Sequence, residues 1–489
     1  MGGNKRKVLS WIHGGTFNFG GVDVIYESPA KLVDEQDIIV AKMNYRLGPF
    51  GNWYFPMGLE GQPKSSWGIQ DQRLGLKWVH DHIAKFNGNE NDITLGGASS
   101  GGMSVMVHMT SPASHAYFHN ALVIGPPQIN FWNETEATMA YGFISGPAVL
   151  GCTTEETFAG DMMDGSLLAC LQSIPLPNFQ AATALAGDIF KQIALNSNHI
   201  SQLEMLYALN IDGDIITHNP RDLLKSQSSL VKSDMGFYLH ELGENEGTSM
   251  TQDLFTNDAF KQTLYGEHYS SIFQDFNSHI TVPKPAHDGL MSTMYGAAGE
   301  TFMSMILDPS ALGCQGTEND PYQGLLTECK TKTADWVTSW LWHCNTRDFL
   351  SPLQTSSTIP HLYAVAFSAA YPGPDYNQSG VMMPDIDAFV DCYEAGGGKS
   401  CHTIGQSYLF GEAEHQGLSQ TPEEIQFGVK YRTVYANLMK TGSHKTPLVS
   451  WSNSGGQFNH MDIDTPMVLT NPYPMTCMLF DQIQSYGMI

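Results

Sequence analysis

The stretch that decides the fold is residues 92–104, which read D-I-T-L-G-G-A-S-S-G-G-M-S. A short apolar run, Ile93 to Leu95, ends in small residues, and Ser99 then stands among four glycines. Residues 97–101 match G-x-S-x-G, in which a strand turns sharply into a helix and exposes the serine oxygen. The helix N-terminus carries partial positive charge, which favours a developing anion there. The stretch therefore predicts a strand, a tight turn with a candidate nucleophile, and a helix over 102–109.

Short apolar runs alternate with segments of helical periodicity on both sides of this stretch. Strands are predicted at 8–12, 38–43, 93–95, 120–125, 236–242 and 361–367. Helices are predicted at 70–86, where Leu74, Leu76, Trp78, Val79, Ile83 and Phe86 recur at helical spacing, and at 422–440. Residues 130–230 have a helical pattern with polar loops. Continuous apolar strands between helices indicate an α/β fold whose mixed, mostly parallel central sheet is covered on both faces.

The composition sets the broad class of the protein. The chain has 489 residues, of which 42% are hydrophobic and 15% charged, and this is typical of globular proteins. No Pro/Ser-rich linker divides it, so we expect one domain over 1–489 with a large helical insertion. A net charge of −25 disfavours nucleic acid and anionic membranes as partners. The sequence contains no run of 18 apolar residues, so no transmembrane helix is predicted. No C-x-x-C or H-E-x-x-H pattern occurs, and we predict neither a metal nor a cofactor.

A second motif follows the first predicted strand. Residues 11–17 read W-I-H-G-G-T-F, and H-G-G after a strand is the type of loop whose backbone N–H groups face the oxyanion in lipases and esterases. Removing one such donor costs on the order of 3 kcal/mol in the activation barrier. The loop His13-Gly14-Gly15-Thr16 is therefore the candidate partner of the serine turn.

Five motifs in order carry a family resemblance. They are W-I-H-G-G-T-F-N-F-G at 11–20, N-Y-R-L-G at 44–48, G-I-Q-D-Q-R-L-G-L-K-W-V at 68–79, I-A-K-F-N-G-N at 83–89 and I-T-L-G-G-A-S-S-G-G at 93–102. This sequence closely resembles the type-B carboxylesterase/cholinesterase family of α/β-hydrolases. The similarity is dense over 7–110, sparse to about 230, and returns in patches beyond. The resemblance implies the α/β-hydrolase fold and a serine, acid, histidine triad in that chain order.

The resemblance also implies the other two triad residues. The acid of the family lies in a D-E-G-like turn after a strand, which matches Glu246 in N-E-G at 245–247; Glu244 is the alternative. The histidine of the family lies in H-x-x-[ED]-L-x-[YF]-V-F-G. His402 keeps the spacing of six to an aromatic residue and the following F-G, and His460 is the alternative. The predicted triad is Ser99, Glu246 and His402.

The oxyanion donors implied by the resemblance are the N–H groups of Gly15, Thr16 and Ser100. The sequence departs from the family pattern at three positions. Ala98 precedes the serine where the family usually has Glu, Thr16 replaces a glycine, and Gly405 replaces the acid three residues after the histidine. None of these changes removes a triad atom. We expect them to alter the electrostatics or the rate of the site.

Eight cysteines suit four disulfides. The resemblance implies bridges of Cys152 with Cys170 and of Cys344 with Cys477. The remaining cysteines form two short candidate pairs, Cys314 with Cys329 and Cys392 with Cys401, the second beside a Gly-rich insertion at 371–400. Four bridges indicate an oxidising compartment, either outside the cell or in the endomembrane lumen, and reduced buried cysteines are the alternative.

The beginning of the chain differs from this expectation. Residues 1–15 lack the apolar segment of a signal peptide. Members of the resembling family carry a substantial segment before the oxyanion-loop strand, including the first strands of the sheet. We therefore expect those N-terminal strands to be absent here, or the sequence to be truncated at its start.

Together these observations predict a serine carboxylic-ester hydrolase that acts on a fairly apolar ester through an acyl-enzyme intermediate. The expected partner is a small-molecule or lipid ester, and the sequence leaves the oligomeric state open. One alternative is a lipase that takes longer acyl chains. A second is a non-catalytic, cholinesterase-like adhesion or binding protein, as in the neuroligin-like branch, which typically lacks triad residues.

Overall fold

The computed structural model describes most of the chain up to residue 247 and selected segments after it. These are residues 5–153, 166–183 and 209–247, with short gaps at 24–26, 57, 60–62, 128–130, 148 and 227–228, then parts of 338–368, and finally 402–411, 421–442, 447–450, 457–461 and 468–470. The predicted insertion at 371–400 lies outside the described residues.

The centre of the fold is an eight-stranded sheet in the order β2-β1-β3-β4-β5-β6-β7-β8. The strands are β1 (Arg6–Ile12), β2 (Ile39–Met43), β3 (Gly88–Ala98), β4 (Asn120–Ile124), β5 (Tyr238–Gly243), β6 (Leu362–Phe367), β7 (Phe458–Met461) and β8 (Val468–Thr470). Strands β1 to β7 pair in parallel, and β8 is antiparallel to β7. The prediction of a mixed, mostly parallel sheet is therefore confirmed.

Helices cover both faces of this sheet. The helices that the structure describes from end to end include α1 (Ala30–Gln36), α2 (Gly48–Asn52), α3 (Trp67–His82), α4 (Ser100–Met109), α5 (Glu134–Ser145), α6 (Ser166–Ser173), α7 (Pro220–Lys225), α8 (Ile404–Phe410) and α9 (Pro422–Thr441). One face packs against α3, α4 and α7, and the other against α1, α8 and α9. Every residue of β4, β5 and β6 is consequently buried, which explains their continuous apolar runs. None of the helices described is long and apolar enough to cross a membrane.

Two predicted helices bury a narrower face than their sequences suggest. In α3 and the 3₁₀ turn that follows, Leu76, Val79 and Ile83 are buried, but Leu74, Trp78 and Phe86 are exposed. In α9 the large apolar residues that are exposed are Ile425 and Val429, whereas Phe427, Tyr431, Val434 and Leu438 face the core. A helix lying on a sheet buries one stripe, so apolar residues outside that stripe remain in contact with water.

Three strands of the sheet differ from the prediction. β3 begins five residues before the predicted strand, because its polar start at Gly88 pairs with Arg6 of β1. β7 and β8 were not predicted at all. β7 is four residues long and β8 is three, and β8 lies at the edge of the sheet. Such short runs carry too little periodicity to stand out from loops.

The described cysteines are all in disulfides. Cys152 and Cys170 form one bridge, which joins the loop after α5 to α6 as the resemblance implies. Cys344 is also disulfide-bonded. Its predicted partner, Cys477, and the four cysteines at 314, 329, 392 and 401 lie outside the described residues.

A buried arginine joins the first helix to the last. The Arg432 side chain is fully buried, and its Nε and Nη2 donate to the two carboxylate oxygens of Glu35 at 2.7 and 2.8 Å. Its Nη1 donates to the carbonyl of Tyr408 at 3.1 Å. One guanidinium thereby fastens α1, α8 and α9 together. Two parallel hydrogen bonds to a carboxylate fix this geometry more firmly than a lysine could.

Replacing Arg432 with Met should lower the free energy of unfolding by about 3 kcal/mol, because it leaves the Glu35 carboxylate without its buried partner. The matched control is Arg46→Met. Arg46 also binds a carboxylate, that of Asp71, but its side chain is 51% exposed. That change should cost less than about 1 kcal/mol. Urea unfolding of both variants measures the difference, and equal losses would contradict the role given to Arg432.

Candidate active site

Ser99 lies on a strained turn between β3 and α4. Its φ of 55° and ψ of −125° are unusual for a residue with a side chain. The neighbouring glycines are required by close backbone approach, since a Cβ on Gly97 would overlap the carbonyl of Gly101. A Cβ on Gly101 would in turn overlap the carbonyl of Ile12 in β1. The G-x-S-x-G pattern is thus explained by packing at this turn.

His402 contacts both of its predicted partners. Its Nε2 lies 2.8 Å from Ser99 Oγ, and its Nδ1 lies 2.5 Å from Glu246 Oε2. The imidazole stands at the turn before α8, where Thr403 adopts a left-handed conformation with φ of 59°. Its side chain is 17% exposed, so a substrate can reach it from solvent. The structure therefore brings Ser99, His402 and Glu246 together in the order serine, histidine, acid.

The end of β5 and the turn after it hold Glu246 in place. Its side chain is 1% exposed, and Oε1 accepts a hydrogen bond from the N–H of Gly243 at 2.7 Å. Gly125, at the end of β4, has φ of 52°, and a Cβ there would lie 2.7 Å from the same oxygen. The two neighbouring strands thus leave room for one orientation of this carboxylate.

The two alternative residues pair with each other. His460 Nε2 lies 3.0 Å from Glu244 Oε1, and His460 stands in β7. The two alternatives named from the sequence therefore contact each other, while Glu246 and His402 lie beside Ser99.

Trp342 and His343 flank the triad and were not predicted. The ring of Trp342 is 5.6 Å from that of His402, and its Nε1 donates to the carbonyl of Gly125 at 3.2 Å. His343 Nε2 donates to the carbonyl of Gly243 at 3.0 Å, and burial lowers its pKa to about 4, so the ring is neutral. Both lie in a π-helical turn at Ser339–Cys344. In the sequence only Cys344 of this turn was a candidate residue, as a disulfide partner, although π-helical turns often occur at functional sites.

The predicted oxyanion loop passes next to the serine turn. A Cβ on Gly14 would lie 3.0 Å from the carbonyl of Ala98 and 3.2 Å from Ser99 Cβ, so only glycine fits there easily. Gly15 has φ of 112°, and the next two residues also have positive φ, 52° for Thr16 and 62° for Phe17. The first N–H of α4 belongs to Ser100 and has no acceptor within the helix. The loop and the helix start therefore lie on either side of Ser99.

His13 has a structural place in this loop. Its ring stacks on Tyr45 with centroids 4.4 Å apart, and Nδ1 donates to the carbonyl of Gly14 at 2.7 Å. The hydroxyl of Tyr45 donates to the carbonyl of His13 at 2.9 Å. Burial lowers the pKa of His13, so the imidazole is neutral. These contacts fix the start of the oxyanion loop.

Two of the departures from the family pattern lie on the same face of the sheet. Ala98 is fully buried in the apolar cluster between the sheet and α8, so a charge there would be costly. At Gly405, a Cβ would overlap Oε1 of Glu241 and lie 2.8 Å from the hydroxyl of Tyr431. The space that a side chain at 405 would need is thus occupied by a carboxyl group from β5.

Glu241 is an acid that the sequence did not single out. It is 1% exposed, and the hydroxyls of Tyr431 and Tyr435 both donate to its Oε2. Burial raises its pKa from the usual 4.5 to about 8; the Tyr431 hydrogen bond opposes this shift and the nearby charge of Glu246 adds to it. The carboxyl is therefore protonated and neutral at pH 7.

Stability should respond to pH through Glu241. The folded protein keeps this proton to about pH 8, whereas the unfolded chain releases it near 4.5, so rising pH favours the unfolded chain between these values. Relative to Glu241→Gln, the unfolding free energy of the wild type should fall by up to about 1.4 kcal/mol per pH unit and level off above pH 8. Urea unfolding at four pH values from 5.5 to 8.5 checks this. A difference that does not vary with pH would show that the buried acid is ionised.

Within the described residues, no group of three or more His, Cys, Asp or Glu side chains is arranged to hold a metal ion. The chemistry available at this site is that of a serine, an imidazole, a carboxylate and backbone N–H groups.

Comparison with known proteins identifies the family of the chain. The model of the Carboxylesterase family matches residues 2–479. A "Carboxylic ester hydrolase" of Bombus ignitus is 35% identical over 37% of this chain and 30% of its own length. An "Acylcarnitine hydrolase" of Mus musculus is 27% identical over 65% of this chain and 49% of its own. An "Acetylcholinesterase" of Myxine glutinosa is 30% identical over 49% and 64%. The chain thus spans about a third to two thirds of the length of these relatives. Because the family model matches nearly the whole length of the chain, the chain belongs to the carboxylesterase family.

Proposed function

We propose that this protein is a serine carboxylic-ester hydrolase that acts through an acyl-enzyme intermediate. The observation that carries the proposal is the position of His402, with one ring nitrogen 2.8 Å from Ser99 Oγ and the other 2.5 Å from Glu246. A serine is a weak nucleophile unless a base beside it takes its proton, and here a base stands within hydrogen-bond reach. Membership of the carboxylesterase family supports the same chemistry.

In the acylation step, Ser99 Oγ attacks the carbonyl carbon of the ester while His402 Nε2 takes the hydroxyl proton. Glu246 holds the Nδ1–H tautomer and stabilises the imidazolium that forms. When the tetrahedral intermediate collapses, the carbon–oxygen bond to the alcohol breaks and His402 donates its proton to the leaving oxygen. A water molecule then repeats the sequence on the acyl-enzyme, which releases the acid and restores Ser99.

The N–H groups of Gly15, Thr16 and Ser100 are the proposed donors to the oxyanion. Gly15 and Thr16 belong to the loop that packs on the serine turn, and Ser100 begins α4, whose positive end faces the developing charge. Fixed donors stabilise the transition state more than the ground state when they point at the place where charge develops. The left-handed conformation of Thr16 is consistent with a loop held in one shape for this purpose.

The proposed substrate is a fairly apolar ester. Trp342 beside His402 and the half-exposed Phe19 next to Gly15 support an apolar environment for the acyl or alcohol group. Lipase action on longer acyl chains is the alternative within the same chemistry. The Cys152–Cys170 bridge supports a location in an oxidising compartment, either outside the cell or in the endomembrane lumen.

Hydrolysis of p-nitrophenyl esters from acetate to palmitate tests the proposal. Ser99→Ala and His402→Gln should each lower kcat by 10³-fold or more, and Glu246→Gln by about 10⁴-fold through loss of the correct tautomer. The matched control is His460→Gln, which removes the imidazole that contacts Glu244 away from Ser99 and should leave kcat within about threefold of the wild type.

The same series separates the alternatives. A maximum at short or medium chains supports an esterase, and a maximum at palmitate favours the lipase alternative. A folded wild type with no Ser99-dependent turnover of any ester, and no reaction of Ser99 with a fluorophosphonate reagent, would favour the adhesion or binding alternative.

The oxyanion loop allows a second prediction from two neighbouring residues. Gly15→Ala should lower kcat by about 10²-fold or more, because the added Cβ overlaps the carbonyl of Phe19 and displaces the loop donors. Thr16→Gly keeps the N–H and suits the φ of 52°, so kcat should stay within about threefold. Steady-state kinetics on p-nitrophenyl butyrate measures both variants. Equal losses in the two would argue against backbone donors in this loop.

A further inference from the structure

Glu241 lies where the elements that carry two triad residues meet. In the sheet it is in register with Ile124, which is in register with Ala98, the residue before the nucleophile. Ala98, Ile124 and Val365 share the face of the sheet that α8 and α9 cover. The carbonyl of Glu241 accepts the N–H of Gly125 at 2.8 Å, and Gly125 limits the space around Glu246.

The side chain of Glu241 contacts α8, the helix that follows His402, and α9, which packs on α8. Its Oε1 fills the place of a side chain at Gly405, three residues after His402 in the first turn of α8. Its Oε2 accepts the hydroxyls of Tyr431 and Tyr435 of α9, and α9 packs on α8. One side chain therefore spans β5, α8 and α9, so the distance between the turn of Glu246 and the turn of His402 depends on it.

We propose that Glu241 is a positioning residue for His402: its carboxyl group fills the space left by Gly405 and fixes the start of α8 relative to β5. This proposal rests on the proposed function for its kinetic consequence. A neutral group is suited to the position, because a second carboxylate beside Glu246 would add a like charge in a buried place. The groups facing it are the hydroxyls of Tyr431 and Tyr435 and the carboxylate of Glu246.

Two features of the site follow from this arrangement. Glycine is required at position 405 because there is no space for a side chain. Its backbone does not have a positive φ, so backbone conformation is not the reason. The acid that the family pattern has three residues after the histidine is supplied here from the neighbouring strand. The carboxyl group should therefore be transferable between positions 241 and 405.

The test uses the full chain and four variants. Glu241→Gln keeps the shape and the neutral state, and we expect kcat within about threefold of the wild type. Glu241→Ala leaves a cavity under α8, and we expect kcat to fall 10- to 100-fold with KM changed less than threefold, because a displacement near 1 Å costs about that much. Gly405→Ala should cause a similar loss by overlap. The double variant Glu241→Gly/Gly405→Glu should recover kcat to within about threefold.

A second readout does not depend on ester turnover. The far-downfield proton resonance of His402 Nδ1–H reports the short contact with Glu246. It should persist in the wild type, Glu241→Gln and the double variant, and weaken in Glu241→Ala. A wild type that shows this resonance but hydrolyses no ester would overturn the proposed function and leave the positioning of His402 supported.

Three results would overturn the proposal. The first is a folded Glu241→Ala protein with the kcat and the resonance of the wild type. The second is a Glu241→Gln protein as impaired as Glu241→Ala, which would mean that the carboxyl acts in its charged form. The third is a folded double variant that recovers neither kcat nor the resonance. Thermal unfolding of each variant checks that it is folded, and where Glu241→Ala fails to fold, Glu241→Gln and the double variant decide.

Discussion

The candidate site depends on one imidazole reaching two partners that lie far away in the chain. His402 is 303 residues from Ser99 and 156 from Glu246, yet contacts both. The parallel sheet makes this possible, because the carboxyl ends of β3, β4 and β5 meet at one edge and carry the serine turn, Gly125 and Glu246. For His402 to reach both partners, α8, which follows it, has to pack at a fixed distance from the sheet. Gly405 sets this distance, because the space beside it is filled by the Glu241 carboxyl group, whereas Gly97 and Gly101 allow the start of α4 to approach β3 and β1.

The local parts of this site could be predicted from the sequence because backbone geometry leaves a mark on it. The glycines that flank Ser99 and those of the H-G-G loop indicate turns that few other residues allow. The continuous apolar runs indicate strands that are buried on both faces. The resemblance to the carboxylesterase family implied Glu246 and His402 as the partners of Ser99, and the three side chains lie within hydrogen-bond distance in the structure. The sequence favoured Glu246 over Glu244 and His402 over His460 without excluding either alternative, and in the structure the two alternatives contact each other instead.

The remaining parts could not be predicted because they depend on contacts between distant residues. From the sequence alone, Glu241 is expected on the surface, because burying a carboxyl group without hydrogen-bond partners is costly. Its partners are two tyrosines about 190 residues away in the chain. Trp342 gave no signal, because nothing in its own stretch indicates that it lies beside His402. The apolar residues of α3 have the right period for burial, yet Trp78 is exposed, because a helix on a sheet covers only one stripe. Periodicity indicates which residues can be buried, and the tertiary structure decides which are.

The wide separation of Ser99 and His402 has a consequence for the synthesis of the protein. Under the proposed function, a growing chain contains Ser99 and the predicted oxyanion loop about 300 residues before His402, the proposed base, is made. During that interval Ser99 has no partner to take its proton, and it has little power as a nucleophile. The sheet is also unfinished, because β5, β6 and β7 follow later and long-range parallel pairing forms slowly. Under that function, the order of the residues along the chain delays the reactivity of Ser99 until the fold is nearly complete.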